Sequence, residues 1–272
     1  MSGPVSLSRS SPQGGDAGRL RGRVGLITGA ASGIGAAGAD LFTAHGAALV
    51  LLDQDSAGGQ SVADAITARG GRAAFHPGDA ASEDDVARAV QAATRQFGKL
   101  DLLWANAGTG VAKTVPDTTL AEWDRVLAVN LTGAFLLAKY GIPELAAAGG
   151  GTMVITGSAN SFVADRHWAA YCASKGGLLM LTRALAVDHA ADGIRVNIVC
   201  PGSVTTPLHE GWLAGRPGGR TLAQAREEDR AAHPLGRFAD PAEVARAALF
   251  LSCAESSFTT GSPLLVDGGV TA

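Results

Sequence analysis

The sequence predicts an α/β fold in one domain: a doubly wound, seven-stranded parallel sheet with helices on both faces. Three observations carry this. Seven short apolar runs alternate with segments of helical periodicity, each run is continuously apolar rather than alternating, and no break in composition marks a second domain. Strands covered on both faces read this way, and parallel neighbours need helical crossovers between them.

In order, residues 24–27 form the first run and end in a glycine-rich turn, Thr28-Gly29-Ala30-Ala31-Ser32-Gly33-Ile34-Gly35. A helix over 34–44 follows, then a strand over 48–52 that stops at Asp53. The alternation continues with a helix at 60–68, a strand at 72–76, a helix at 83–97 and a strand at 100–104. One long helix over 120–148 precedes the strand at 152–156, and a helix carrying Tyr171 and Lys175 runs to about 190 before the strand at 194–199. The last helix, 241–251, leads to the strand at 263–266. Residues 1–20, rich in Ser, Gly and Pro, read as a flexible tail, and 21–272 as the domain. The stretch 203–235 is long for a connection and reads as a lid or binding loop.

Composition excludes several classes of function. The net charge is −3, with 46% hydrophobic and 17% charged residues, which offers nothing to recruit DNA or an anionic membrane. Three cysteines without CxxC spacing, and six scattered histidines, point to reduced thiols and to no metal. The N-terminus lacks a secretory apolar region and no apolar run approaches transmembrane length, so a cytoplasmic protein is expected. Without secretion the sequon Asn130-Leu131-Thr132 carries no meaning.

The chemistry sits in Tyr171-Cys172-Ala173-Ser174-Lys175. Tyr171 and Lys175 are four apart and share a helix face. An ammonium held there is expected to lower the phenol's pKa from its usual value near 10. The glycine-rich turn lets backbone approach a pyrophosphate at a helix N-terminus. Asp53, ending the second strand, can accept hydrogen bonds from ribose hydroxyls and repels a 2′-phosphate; neither Ala31 nor Gln54 offsets that repulsion, so NAD is expected over NADP. Taken singly, each motif also has a structural explanation: a turn glycine, a strand-end carboxylate, a helical Tyr/Lys pair.

In combination and in order they resemble the short-chain dehydrogenase/reductase family, compact type, from about residue 22 to 270. The series is the 28–35 turn, Asp53, Asp79, Asn106-Ala107-Gly108, Asn130, Ser158, Tyr171 with Lys175, Pro201-Gly202, Thr206 and Asp267-Gly268-Gly269. Ala105 stands where the family more often has a first asparagine, a largely structural position.

The resemblance implies a Rossmann-like fold and assigns roles. Gly29, Ser32, Gly33, Ile34, Gly35, Asp53, Asp79, Ala80, Asn106, Ala107, Gly108, Pro201, Gly202, Val204 and Thr206 would hold NAD, with Tyr171 and Lys175 contributing. Asp79 would meet the adenine, Lys175 the nicotinamide ribose and Thr206 the carboxamide. The catalytic set would be Asn130, Ser158, Tyr171 and Lys175, with Tyr171 as acid/base, Ser158 donating to the substrate oxygen, and the Asn130 carbonyl holding a water. Proximity to this set nominates Asn160, Trp168, Leu208 and Trp212 for substrate, with Thr109, Gly110 and His209 nearby; Arg216, Arg220, Arg226 and Arg230 belong to the 203–235 loop. The expected reaction interconverts a secondary alcohol, cyclic or not, with its ketone. A 3-oxoacyl thioester reductase using NAD(P)H, or a non-catalytic nucleotide sensor, fits the same motifs. Family members commonly form tetramers through the two long helices, here near 120–148 and 168–190, and through the C-terminal segment, so a homotetramer, or a homodimer, is expected.

Overall fold

The structure, a computed structural model, describes residues 18–214 and 221–272. Its strands are β1 (Val24–Thr28), β2 (Ala48–Asp53), β3 (Arg72–Pro77), β4 (Leu102–Ala105), β5 (Gly151–Thr156), β6 (Ile194–Pro201) and β7 (Pro263–Val266). They form one sheet in the order β3-β2-β1-β4-β5-β6-β7, every pair parallel. The expected fold is therefore found. Strand order reverses between β1 and β4, and in open parallel sheets that crevice, outside the strand C-termini, is where ligands bind.

The helices are α1 (Gly33–Ala44), α2 (Ser56–Ala68), α3 (Glu83–Phe97), α4 (Leu120–Leu127), α5 (Gly133–Ala147), α6 (Ala169–Asp188), α7 (Pro207–Ala214), α8 (Leu222–Ala231) and α9 (Pro241–Ser252). Two cores result, one on each face of the sheet. Leu26, Val50, Met153 and Ile155 pack with α3, α5 and α6, whereas Ile27, Leu49, Leu51, Trp104 and Val154 pack with α1 and α9. Successive side chains of one strand thus enter opposite cores, which is why the strands read as unbroken apolar runs. At Gly38 an added Cβ would lie 2.0 Å from the Trp104 ring, so glycine is what lets α1 seat against β4.

Four expectations need correction. The helix expected over 120–148 is interrupted: α4 and α5 are joined by a π-helical turn, Ala128–Thr132, in which Gly133 N donates to Ala128 O five residues back. Asparagine weakens an α-helix here, and its buried carboxamide finds better partners in the widened turn. The strand expected at 100–104 pairs only from Leu102, ending at Ala105. The 203–235 stretch is not a bare loop but carries α7 and α8, tied back to the sheet by a bridge between Val204 and Ala239. Finally, Leu20 is fully buried in the α1/α9 core, with its N–H on His45 O at 3.0 Å, so the ordered domain includes it; residues 1–17 of the expected tail lie outside the described residues.

The α4–α5 stretch, Leu120–Ala147, is long and apolar enough to cross a membrane, contrary to the expectation that no such run exists, but half of its most apolar window is buried. Val126, Leu137 and Leu145 face the protein interior, as in the core helix of a globular domain.

Candidate active site

The crevice at the β1/β4 reversal opens into a cavity of about 900 Å³ that runs from Asp53 and Asp79 past Tyr171 to α7. Its nucleotide end is a cradle built by glycine. Gly29 has φ 67°, and a Cβ there would lie 2.7 Å from Ala107 Cα; Gly33 has φ 54° and would press on Thr206. Both values favour glycine over any L side chain. Ser32, the N-cap of α1, makes no side-chain cap bond, and the first turn of α1 holds no acid. The N–H groups and positive end of α1 are therefore left to meet an anion, as a pyrophosphate requires. These residues fit a dinucleotide.

The cradle is fixed by a hydrogen-bonded network across three strand ends. Thr28 Oγ1 accepts from Asn106 N and Ala107 N, both at 3.1 Å. Asn106 Nδ2 donates to Gly29 O at 3.0 Å, its Oδ1 accepts from Thr156 Oγ1 at 3.1 Å, and that hydroxyl accepts from Trp104 Nε1 at 2.9 Å. Thus the turn after β1, the Asn106-Ala107-Gly108 turn after β4 and the end of β5 form one rigid rim. Asp53 joins it: Oδ2 accepts from Ala31 N at 2.9 Å and Oδ1 from Asp55 N at 3.0 Å. Each oxygen keeps a lone pair for a ribose hydroxyl, and Asp53 has no ion pair among the described residues. Asp79 lines the same end beside buried Ala80, its Oδ1 accepting from Ala81 N at 2.9 Å.

The catalytic candidates meet at mid-cavity. Ser158, two residues past the end of β5, is extended and caps the short turn Ala159–Ser161; its Oγ accepts from Asn160 N at 3.1 Å. Tyr171 and Lys175 come from the first two turns of α6, with Lys175 Nζ 5.4 Å from the Tyr171 ring centroid. Both are nearly fully buried, at 9% and 3% exposure. Lys175 Nζ donates to Thr156 O at 2.8 Å. Asn130 is buried under them, and its carboxamide clamps Thr109: Nδ2 donates to Thr109 O at 2.9 Å while Oδ1 accepts from Thr109 N at 2.8 Å. Nδ2 also donates to Ser174 Oγ at 2.9 Å, which in turn donates to Tyr171 O at 2.7 Å. The π turn is thereby stapled both to the strand-four turn and to α6.

The electrostatics differ from the expectation. Burial pushes the Tyr171 phenol up to about 12, with a hydrogen bond from Ser158 pulling the other way. Burial also pulls Lys175 down to about 8. In the protein alone, desolvation outweighs the helical Tyr/Lys pairing, because both groups lose water and the ammonium is directed at Thr156 O. The resting pair is a neutral phenol beside an easily deprotonated amine.

The far end of the cavity is aromatic. Trp168, Tyr171 and Trp212 form a mutual cluster with ring centroids 4.9 to 5.5 Å apart. Asn160, Leu208, Thr109 and His209 line the cavity with them. Gly110 lies behind the rings, where an added Cβ would be 2.8 Å from Trp168, rather than on the floor. His209 Nε2 is 2.9 Å from Asp229 Oδ2, which ties α7 to α8. Arg226 pairs with Glu210 and Arg230 with Glu227; Arg216 and Arg220 lie outside the described residues.

Of the residues expected to bind cofactor, Gly29, Ser32, Gly33, Ile34, Asp53, Asp79, Ala80, Asn106, Ala107, Gly108, Tyr171, Lys175, Pro201, Gly202, Val204 and Thr206 line the cavity. Gly35 does not. A Cβ there would lie 2.0 Å from Gly29 O, so its place is in packing α1 against the turn. Sequence reasoning missed Thr28, Thr156 and Ser174, which hold the others, and Arg166 on the rim; hydroxyl residues at strand ends are the signal for the first two. Among the described residues no group of three or more His, Cys, Asp or Glu could hold a metal ion.

Comparison with known proteins agrees with this geometry. A family model described as enoyl-(acyl carrier protein) reductase matches residues 29–271. Cis-4-hydroxycyclohexanecarboxylate dehydrogenase of Sinomonas cyclohexanicum is 43% identical over 92% of this chain and 97% of its own length. For 2-(S)-hydroxypropyl-CoM dehydrogenase 3 of Xanthobacter autotrophicus the identity is 36%, over 93% and 98%. A crystal structure of a short-chain type dehydrogenase/reductase from Mycobacterium marinum superposes with a TM-score of 0.87 at 34% identity, covering 93% of this chain and 97% of that one. With the sheet order, the glycine cradle and the Ser158–Tyr171–Lys175 cluster, these likenesses show that the chain belongs to the short-chain dehydrogenase/reductase family of NAD(P)-dependent oxidoreductases.

Proposed function

We propose that the protein interconverts a secondary alcohol, on a ring or a short chain, with its ketone, using NAD. The observation that carries this reading is the burial of Tyr171, Ser158 and Lys175 at one point of a cavity whose two ends differ: a glycine cradle with Asp53 at one, aromatic rings at the other. A nicotinamide dinucleotide held by the glycine cradle and Asp53 would supply the hydride-accepting and hydride-donating chemistry. The chain's residues handle the oxygen. The Tyr171 oxygen takes the carbinol proton in oxidation and gives it back in reduction. Ser158 Oγ donates to the substrate oxygen, where charge develops. Lys175 adds positive charge near the phenolate as it forms, and its hydrogen bond to Thr156 O fixes it there. Asn130 keeps α6 and the Thr109 turn in register, and its own carbonyl lies in the widened turn.

A cyclic alcohol is supported by the Trp168 and Trp212 faces, which suit a ring, and by the relative whose name specifies a hydroxycyclohexanecarboxylate. The Asp53 carboxylate supports NAD over NADP. A 3-oxoacyl thioester reductase would use the same catalytic groups, and its usual NADPH would meet that carboxylate. Three free cysteines, two of them buried, support a reducing intracellular compartment. Six of the exposed large apolar side chains lie on the helices and C-terminal segment expected at subunit contacts: Leu120, Phe135, Met180, Val187, Phe258 and Leu265. They support a homotetramer.

Four outcomes follow from these assignments. Tyr171→Phe lowers kcat for alcohol oxidation by about 10³-fold while NADH binding, read by fluorescence titration, stays within about twofold; equal turnover in the variant refutes the mechanism, and a non-catalytic sensor predicts no turnover in either protein. Because a high Tyr171 pKa keeps the phenol protonated, oxidation, which needs the phenolate, accelerates as pH rises from about 7 to about 10, and ketone reduction, which needs the phenol, slows. A flat oxidation profile contradicts this. The native protein binds NADH more tightly than NADPH, and Asp53→Ala narrows the ratio by about tenfold or more; tighter NADPH binding by the native protein rejects the assignment. Light scattering gives four subunits, and Met180→Lys with Val187→Lys dissociates them; a monomeric native protein excludes the assembly.

A further inference from the structure

We propose that the substrate carries a carboxylate besides its carbinol, and that Arg166 at the cavity rim pairs with it. The inference rests on the carbinol chemistry above and specifies the substrate class of the same site.

Arg166 lies in the segment joining Ser158 to Tyr171, and this segment is held on both sides of it. Asn160 Nδ2 donates to Val163 O at 3.2 Å and to Asp165 Oδ2 at 3.1 Å. Beyond Arg166, Lys113 N donates to His167 O at 2.8 Å, and Trp168 bridges to Lys113 before packing on Trp212. His167 has φ 69°, and among the described residues it alone holds a positive φ without being glycine. Such backbone is unfavourable for a side-chain-bearing residue and persists where the surroundings impose it. The chain therefore spends hydrogen bonds and an awkward backbone to fix the path on which Arg166 sits, between two catalytic residues.

The charges around the cavity leave Arg166 available. Asp165 is engaged by Asn160, Asp229 by His209, and Glu228 also has a partner. Lys175 is buried at the reacting centre. Arg226 and Arg230, the described arginines of the 203–235 stretch, are paired with Glu210 and Glu227 and do not line the cavity. Arg166 lines it, is exposed, and has no hydrogen bond or ion pair among the described residues. Arg125 also lines the cavity without a hydrogen bond or ion pair among the described residues, but it lies on α4, outside the Ser158–Tyr171 segment. A guanidinium presents a planar fork that matches a carboxylate with two parallel hydrogen bonds. Carbinol at Ser158 and Tyr171, apolar body along Trp168 and Trp212, and carboxylate at the rim together describe a hydroxy acid whose two polar ends are separated by a ring or short chain.

The test compares cyclohexanol with 4-hydroxycyclohexanecarboxylate, in the native enzyme and in Arg166→Gln, with NAD⁺ saturating. The native enzyme is expected to show a kcat/KM about tenfold or more higher for the acid. Arg166→Gln raises KM for the acid by about tenfold with kcat within about twofold, leaves cyclohexanol unchanged, and is partly restored by Arg166→Lys. Added salt raises KM for the acid alone. Equal efficiency on the two alcohols in the native enzyme, or an Arg166→Gln effect that is absent or falls on both alike, overturns the pairing while leaving the carbinol reading intact. Turnover of neither alcohol by the native enzyme overturns both.

Discussion

Removing water from the Tyr171 phenol and the Lys175 ammonium is the constraint around which the rest of the site is organised. Burial, the largest cause for each, drives the two apart in the unhelpful direction, leaving the phenol at about 12 and the amine at about 8. A site left in that state would hold a weak acid and a weak base, poorly matched to proton transfer near neutral pH. What the fold gains is sensitivity: in a dry cavity every added charge or hydrogen bond acts strongly on the phenol. Ser158 already pulls it down. In the proposed reading, the glycine cradle and Asp53 mark where a dinucleotide would bring further charge alongside, making reactivity conditional on a filled site. Thr156 O, the one hydrogen-bond acceptor of Lys175 among the described residues, keeps the ammonium in position meanwhile.

That conditional reactivity requires positional precision from four separate segments, and the parallel sheet supplies it. Every strand delivers its C-terminus to one edge, and at the reversal between β1 and β4 the neighbouring ends belong to different halves of the chain. Thr28, Asn106 and Thr156 convert this adjacency into a continuous hydrogen-bonded rim. Trp104 anchors the rim from below, since its indole N–H meets Thr156 while its ring stacks on Phe42 with centroids 5.2 Å apart. Gly38 allows α1 to approach that ring, so the anion-binding end of α1 is located by a core contact. Packing and cofactor placement are here the same interaction. The π turn does for the other side what this rim does for the cradle: by widening the helix at Asn130 it aims one carboxamide at Thr109 and Ser174 together.

Much of this was legible in the sequence, for identifiable reasons. Strand positions followed from burial on both faces, a property of continuous apolar runs. The Tyr171/Lys175 pairing followed from helical periodicity, and Asp53 from its place at a strand end. Other features depend on three-dimensional surroundings that periodicity does not encode. The direction of the Tyr171 shift is set by how much water the folded cavity removes, and an i, i+4 spacing says nothing about that. Gly35 belongs to a glycine-rich string yet serves packing, because which glycine faces the ligand depends on the path of the turn. Asn130 read as a helix weakener, while the buried partners that favour a π turn come from residues 109 and 174. Leu20 joined the tail by composition although a single buried leucine suffices to tie chain to core.

The aromatic cluster of Trp168, Tyr171 and Trp212 couples α7 to the middle of the cavity. Trp212 belongs to α7, and its ring lies 5.2 Å from that of Tyr171 and 4.9 Å from that of Trp168, so α7 touches the candidate acid/base directly. On its other side α7 is held through His209 to Asp229, whose backbone carbonyl lies 2.9 Å from His233 Nδ1. His233 Nε2 accepts from Ser203 N at 3.0 Å, next to Pro201 and Gly202 at the end of β6. A displacement of α7 would therefore act at both ends, exposing Tyr171 to water and loosening the strand end that borders the cofactor cradle. Since burial is the main cause that raises the pKa of Tyr171, the seating of α7 and the acidity of the phenol are linked: the more closely Trp212 covers the Tyr171 ring, the more weakly acidic that phenol is.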